Sequence, residues 1–333
     1  MSKKTLRALL ALLSVLVLAL GVAACGDDDD SGGGGGSSSS DTSGGGGGQT
    51  GSLIEKDPAN SGKKVTIGSK NFPEQFILGE IYSQALTAAG FDVKKSLDLG
   101  AEQVAFKALK GGEVDAYPEY TGTALTSFYK VKVDDVPRDP QEAFDQLTTD
   151  AQKDKIVTMP KTPFENTYKV TSTKKTAEKY GNPKTISELV AKAGNGVRLS
   201  GFPECKQRTD CYIGLDRSYG WKPKFVSSEG QYDDLDKNQA DFTMGFSTDG
   251  PLSLDKYATY DDDKKLFPPY QVTLLTRQEA ADRLGEAGKK VIEDVQKPLT
   301  EEVMQELNSR VAIDKQEPEA VAKQYLQESG FIK

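Results

Sequence analysis

Two stretches of this chain share one spacing. Leu109 precedes Asp115 by six positions, and Tyr120 and Thr121 follow that aspartate by five and six; Leu235, Asp241, Phe246 and Ser247 repeat the arrangement. The first stretch reads Gly112-Glu-Val-Asp-Ala-Tyr117-Pro-Glu-Tyr120-Thr-Gly-Thr123. Val114 to Tyr117 predicts a short strand that Pro118 ends, and Thr121-Gly122-Thr123 opens a helix from Ala124 to about Tyr129. Side chains at such a strand-to-helix turn stand at the mouth of an α/β sheet, where ligands bind. The repeat therefore predicts two lobes, each offering one aromatic, Tyr120 or Phe246, to a shared cleft. Two ordinary strand-turn-helix units would also show this spacing, so other residues have to carry the argument.

The whole chain supports such an architecture. Strands Val65–Ile67, Phe91–Leu99 and the repeat unit alternate with helices from Pro73 to Gly90 and Gln103 to Lys110, the second with Val104, Phe106 and Ala108 facing inward. That alternation predicts an α/β lobe with a largely parallel sheet. A charged helix over 139–155 follows. The prolines at 160 and 163 then break helical structure before a new strand at Tyr168–Thr171, which marks the crossing into lobe two. Lobe two is expected to hold a helix from Ile186 to Ala193 capped by Thr185, strands at Gly196–Leu199, Phe225–Ser227 and just before Phe246, and helices after the cysteine loop and near Asp233–Asn238. The return crossing falls between Ser247 and Tyr270. A strand at Val272–Leu275 and helices at Glu279–Gln296, Glu301–Val311 and Pro318–Ser329 complete the pattern, the helices packing back on lobe one. The predicted boundaries are 63–164 with 270–333 for lobe one and 165–269 for lobe two.

Composition narrows the function. A net charge of −8 argues against nucleic acid as a partner, because a binder needs a basic face. The chain has no histidine, which removes the commonest general base, the usual catalytic triads and most zinc sites. Neither metal nor organic cofactor is expected.

The N-terminus predicts the compartment. Lys3, Lys4 and Arg7 precede an apolar run from Leu9 to Leu20 that is too short for a membrane span. Val22-Ala-Ala-Cys25 resembles the bacterial lipobox, which makes residues 1–24 a lipoprotein signal peptide and Cys25 the lipidated residue. Residues 25–62, rich in Asp, Gly and Ser, read as a flexible tether between lipid and domain. The expected location is the outer face of the cytoplasmic membrane, reached through a lipid anchor. In that setting Cys205 and Cys211, six apart, favour a small-loop disulfide over free thiols.

Four motifs then carry a family resemblance. Ile67-Gly-Ser-Lys70-Asn-Phe-Pro-Glu-Gln-Phe-Ile-Leu-Gly79, Tyr117-Pro-Glu-Tyr120-Thr-Gly-Thr123, Asn166-Thr-Tyr168 and Ser247-Thr-Asp-Gly250 resemble the glycine betaine/carnitine/choline substrate-binding proteins of osmoprotectant ABC transporters, over residues 64–333. The resemblance implies an α/β, two-lobed periplasmic-binding-protein fold of type II, its lobes joined by two interlobe crossings and closing on the ligand. It implies an aromatic cage for a quaternary ammonium at Tyr120, Tyr168, Phe246 and Tyr270. It implies that Lys70, Thr123 and Arg208 hold a ligand carboxylate, with Glu204 supporting the arginine. Phe246 departs from the family pattern by standing where a tyrosine is common, as does the cysteine loop around Arg208. The implied partners are a small quaternary amine and the permease and ATPase subunits of a transporter, and the chain is expected to be monomeric.

The chemistry of the ligand agrees with this reading. A trimethylammonium group has no N–H to donate, so aromatic faces must hold it, each good face contributing up to about 2 kcal/mol when desolvated. A carboxylate suits Arg, Lys and a hydroxyl. Two alternatives remain: a site for another zwitterion such as carnitine, proline betaine or ectoine, and an enzyme on the same two-lobed fold using Glu204 or Asp241 as acid or base.

Overall fold

The computed structural model describes residues 51–333. The lipobox cysteine Cys25, the signal peptide and most of the tether lie outside the described residues. The chain runs through β1 (Lys64–Gly68), α1 (Pro73–Ala88), β2 (Asp92–Ser96), α2 (Glu102–Gly111), β3 (Ala116–Tyr120), a single helical turn α3 (Thr121–Thr123) that widens into a π turn (Ala124–Phe128), α4 (Pro140–Gln152) and β4 (Ile156–Thr158). It continues through β5 (Tyr168–Thr173), α5 (Lys174–Lys179), α6 (Ile186–Ala193), β6 (Arg198–Gly201), α7 (Tyr212–Tyr219), β7 (Lys224–Ser227), α8 (Gln231–Asp236), β8 (Phe242–Phe246) and β9 (Tyr257–Tyr260). The last elements are β10 (Val272–Arg277), α9 (Gln278–Gln296), α10 (Glu301–Ala312) and α11 (Pro318–Glu328).

The strands form two five-stranded sheets of matching order, β2-β1-β3-β10-β4 and β7-β6-β8-β5-β9. In each, three parallel strands are followed by antiparallel neighbours. The chain passes from the first sheet to the second between β4 and β5 and returns between β9 and β10. These two passages are joined to each other: Glu165 and Gln271 form an antiparallel bridge, and the Asn166 N–H donates to the Tyr270 carbonyl at 3.1 Å.

The repeated aspartates explain the matching order. The Asp115 carboxylate accepts the Thr66 N–H at 2.9 Å, and the Asp115 N–H donates to the Thr66 carbonyl. Asp241 does the same with Arg198, accepting its N–H at 2.8 Å and donating to its carbonyl. Each aspartate thus locks the start of the third parallel strand to the first, and five residues later an aromatic stands at the strand's end.

Local sequence accounts for the helices around this frame. Pro73 opens α1, whose Ile77, Leu78, Ile81, Tyr82, Ala85 and Leu86 are buried on the first sheet. Thr185 caps α6, its hydroxyl accepting the Glu188 N–H at 3.2 Å. α9 and α11 pack on α1, while α10 also lies against the turn Gly250–Ser253 that follows β8, so one C-terminal helix serves both halves. A Cβ on Gly250 would meet the Ser309 nitrogen at 2.7 Å, which is why no side chain fits there. No helix among the described residues is long and apolar enough to cross a membrane.

Four expectations need correction. Pro118 does not end a strand but sits within β3, opposite Leu274. Thr121 N–H bonds to Gln271, so by alternation Pro118 falls between bonded positions of that ladder, and β1 pairs with β3 only at Ala116. Val104 is 53% exposed; the buried face of α2 is Ala105, Phe106, Ala108 and Leu109. β9 adds a strand to the second sheet where a crossing was expected, so the return begins after Tyr260. Residues 51–62, counted with the tether, belong to the folded domain: Gly51 and Ile54 donate backbone bonds to Ser329 and Phe331, Asp57 donates to Ala89, and Asn60 is buried.

Candidate ligand-binding site

A cavity of about 330 Å³ opens between the two sheets. Lys70, Tyr120, Thr123, Tyr168, Glu204, Arg208, Phe246 and Tyr270 all line it. Their surroundings divide them into two groups.

The rings of the second half form a box. Tyr168, at the start of β5, stands opposite Phe246, at the end of β8, with ring centroids 5.0 Å apart. Tyr270 meets Tyr168 edge to face at 5.3 Å, and Phe267 backs it at 5.2 Å. Phe202, at the turn after β6, stacks parallel to Tyr168 at 6.1 Å and approaches Phe246 at 5.7 Å. Three of the four expected cage rings are therefore together, and Phe202 is a further wall that lines the cavity. The repeat could have found it. With Thr66 and Arg198 equivalent through their aspartates, four residues on gives Lys70 in one half and Phe202 in the other.

Tyr120, the fourth expected ring, is placed differently. It stacks on Phe72 at 6.3 Å, and the Lys70 ammonium lies 4.5 Å from its centroid, so a face of this ring already holds a cation. Its hydroxyl donates to Glu74 Oε1 at 2.8 Å. Burial pushes the hydroxyls of Tyr120, Tyr168 and Tyr270 well above the usual tyrosine range, which leaves all three neutral donors.

The two cations are held by the protein. Lys70 is buried, and its ammonium bonds Glu119 Oε1 at 2.5 Å; Glu119 also accepts from the Tyr117 hydroxyl and the Tyr120 N–H. Arg208 lies within the Cys205–Cys211 disulfide loop. Its Nε and Nη2 grip both oxygens of Asp210 at 2.8 and 2.6 Å, and its Nη1 reaches Glu102 at 2.7 Å and Ser127 at 3.2 Å. Burial alone lowers the pKa of such a guanidinium; here the carboxylates of Asp210 and Glu102 outweigh burial and hold it above its ordinary value. The expected support from Glu204 is not what the structure has: Glu204 is exposed, and the arginine is paired with Asp210 and Glu102 instead. Thr123 lines the cavity at the C-terminus of α3.

Besides Asp210 and Glu102, two more carboxylates escaped sequence reasoning. Glu74, in the first turn of α1, accepts four bonds: Tyr120 and Asn166 on one oxygen, Thr248 and Asn308 on the other. Asp249 accepts the Phe246 N–H and the Tyr232 hydroxyl, both at 2.8 Å, and burial pushes its carboxyl up to about 7.

Two sheets of type II topology, joined by paired passages over a cleft of rings, define a solute-binding protein of the kind that serves ABC transporters, not an enzyme. The chain belongs to the family described as the substrate-binding domain of ABC-type glycine betaine transport systems, whose model matches residues 63–328. It is 25% identical over 289 residues to the glycine betaine-binding protein YehZ of Escherichia coli K12, covering 83% of this chain and 94% of that one. It is 28% identical over 277 residues to the ergothioneine transport permease/ergothioneine binding protein EgtU of Helicobacter pylori G27; the match takes 81% of this chain but spans only about half, 48%, of that protein. A crystal structure titled as a glycine betaine/carnitine/choline ABC transporter superimposes with a TM-score of 0.67 at 26% identity, over 79% of this chain and 98% of the other. Family members are extracytoplasmic substrate-binding proteins.

Proposed function

We propose that this protein captures glycine betaine, choline or a related quaternary amine outside the cytoplasmic membrane and delivers it to a permease driven by an ATPase. The observation that carries the reading is the box of Tyr168, Phe202, Phe246 and Tyr270 on one cavity, because stacked rings without a matching set of donors suit a cation that has no proton to give. Residues 51–164 with 270–333 and residues 165–269 act as the two lobes, and ligand favours the closed form because it touches both. The protein works as a monomer, anchored through lipid on Cys25 and tethered by the Asp-, Gly- and Ser-rich segment behind it.

Calorimetry with choline, glycine betaine, carnitine, ectoine and ergothioneine tests the function. At least one quaternary amine should bind with micromolar affinity, and Tyr168→Ala should weaken it more than tenfold, since one desolvated face at about 2 kcal/mol exceeds the 1.4 kcal/mol of a decade. If none of them binds more tightly than millimolar, the proposed ligand class is wrong. Metabolic labelling with radioactive palmitate checks the anchor: Cys25→Ser should lose the label and release the protein from membranes.

A further inference from the structure

We infer that the site selects a quaternary amine of net positive charge with a neutral tail, such as a hydroxyl, and turns carboxylated betaines away; this rests on the ligand class proposed above. The reasoning concerns what a ligand carboxylate would find. Arg208 commits four of its five N–H groups to Asp210, Glu102 and Ser127. Lys70 is bonded to Glu119 on one side and covered by the Tyr120 ring on another. Neither cation is left uncompensated. Among the described residues lining the cavity, Lys70 and Arg208 are the two bases, against the five acids Glu74, Glu102, Glu204, Glu229 and Asp249.

One N–H of the arginine is uncommitted, so an incoming carboxylate can gain a paired grip on it only by displacing Asp210, Glu102 or Ser127, and the acids hold the strongest of these positions. Asp210 is 1% exposed, and the arginine and the Tyr270 hydroxyl, which donates to it at 2.6 Å, hold its charge. Pushing it off Arg208 would strand a buried carboxylate beside another anion. A cation meets the opposite situation. Its charge adds to a lining with an excess of acids, its methyl groups meet the rings, and a tail hydroxyl can both donate and accept among the polar groups at the Arg208 end. Asp210 and Glu102 are thus specificity-determining residues that act through Arg208.

The test compares choline with glycine betaine, which differ in having a hydroxymethyl or a carboxylate at the same position, by calorimetry at low ionic strength. Wild-type protein should bind choline at least tenfold more tightly than glycine betaine. Asp210→Asn should shrink that ratio at least tenfold, mainly by tightening betaine. Glu102→Gln, at a partly exposed site that does not threaten folding, should shrink it at least threefold. Betaine binding as tightly as choline in the wild type would overturn the inference and leave the quaternary-amine function standing. A choline preference that both variants leave unchanged would overturn it too, because the acids would not be the selectors. Binding of neither compound would overturn the inference, and the function beneath it falls as well only if carnitine and ergothioneine also fail to bind.

Discussion

The two sheets are the same machine loaded differently. Each has an aspartate that ties its third parallel strand to its first, and each ends that third strand with an aromatic over the cleft. Beyond the strand ends they diverge. At equivalent turns the first half puts Lys70 and the second Phe202. The first half buries an ion pair and its hydrogen-bonded tyrosines, while the second assembles rings that meet mainly one another. The frame is therefore indifferent to what stands at its mouth. Most of the rings come from the second half and buried charge pairs from both, Lys70 with Glu119 in the first and Arg208 with Asp210 in the second, so both halves complete the lining of the cavity.

The largest expected effect comes from removing the group that ties the halves together. Glu74→Ala should lower stability by roughly 3–5 kcal/mol in urea unfolding, because it leaves four buried donors unpaired. A loss below about 1 kcal/mol would mean that the two halves hold together without it.

A second prediction concerns pH. Burial raises Asp249 to about 7 from an ordinary carboxylate value near 4. Between those values the folded state holds a proton that the unfolded chain has released. Stability from this group is complete below about pH 4 and is lost as pH rises through about 7, a span of up to about 4 kcal/mol at 1.36 kcal/mol per unit. Asp249→Asn should flatten that part of the stability profile, and an unchanged profile would assign the slope elsewhere.

The strand locks offer a paired comparison. Asp115→Asn and Asp241→Asn should each cost about 1–3 kcal/mol, since each carboxylate accepts a backbone N–H and an arginine. A loss in only one would show that the halves are alike in geometry but not in energetics. The smallest effect is at the first half's ring. Phe246→Leu should weaken ligand by several-fold or more, and Tyr120→Leu by less, because Lys70 already occupies a face of Tyr120. Equal losses would return Tyr120 to the cage.

Much of the frame was legible because it depends on local signals. Pro73 at a helix start, Thr185 as a cap and the leucine-aspartate-aromatic spacing each act within a few residues, and each is where the pattern put it. β9 was missed because Tyr257-Ala-Thr-Tyr260 is short and runs into an acidic stretch that reads as surface. Within the site, the residues themselves were legible but their partners were not. Glu74 looks like any acid in a first helical turn; only folding brings Asn166, Thr248 and Asn308 to it. Glu204 is nearer to Arg208 in sequence than Glu102 is, yet the guanidinium bonds Glu102, from the other half of the fold. Sequence distance carries no information about such pairings.

The four bonds on Glu74 also tie distant parts of the chain to one side chain. Its donors come from β3, from a passage between the sheets, from the turn after β8 and from α10, so any rotation that tore them would leave buried polar groups in four parts of the fold without partners. A relative turn of the two halves that keeps these bonds has to pivot about this side chain. The contact such a turn would break lies at the other end, where Arg208 reaches from the disulfide loop to Glu102 and Ser127.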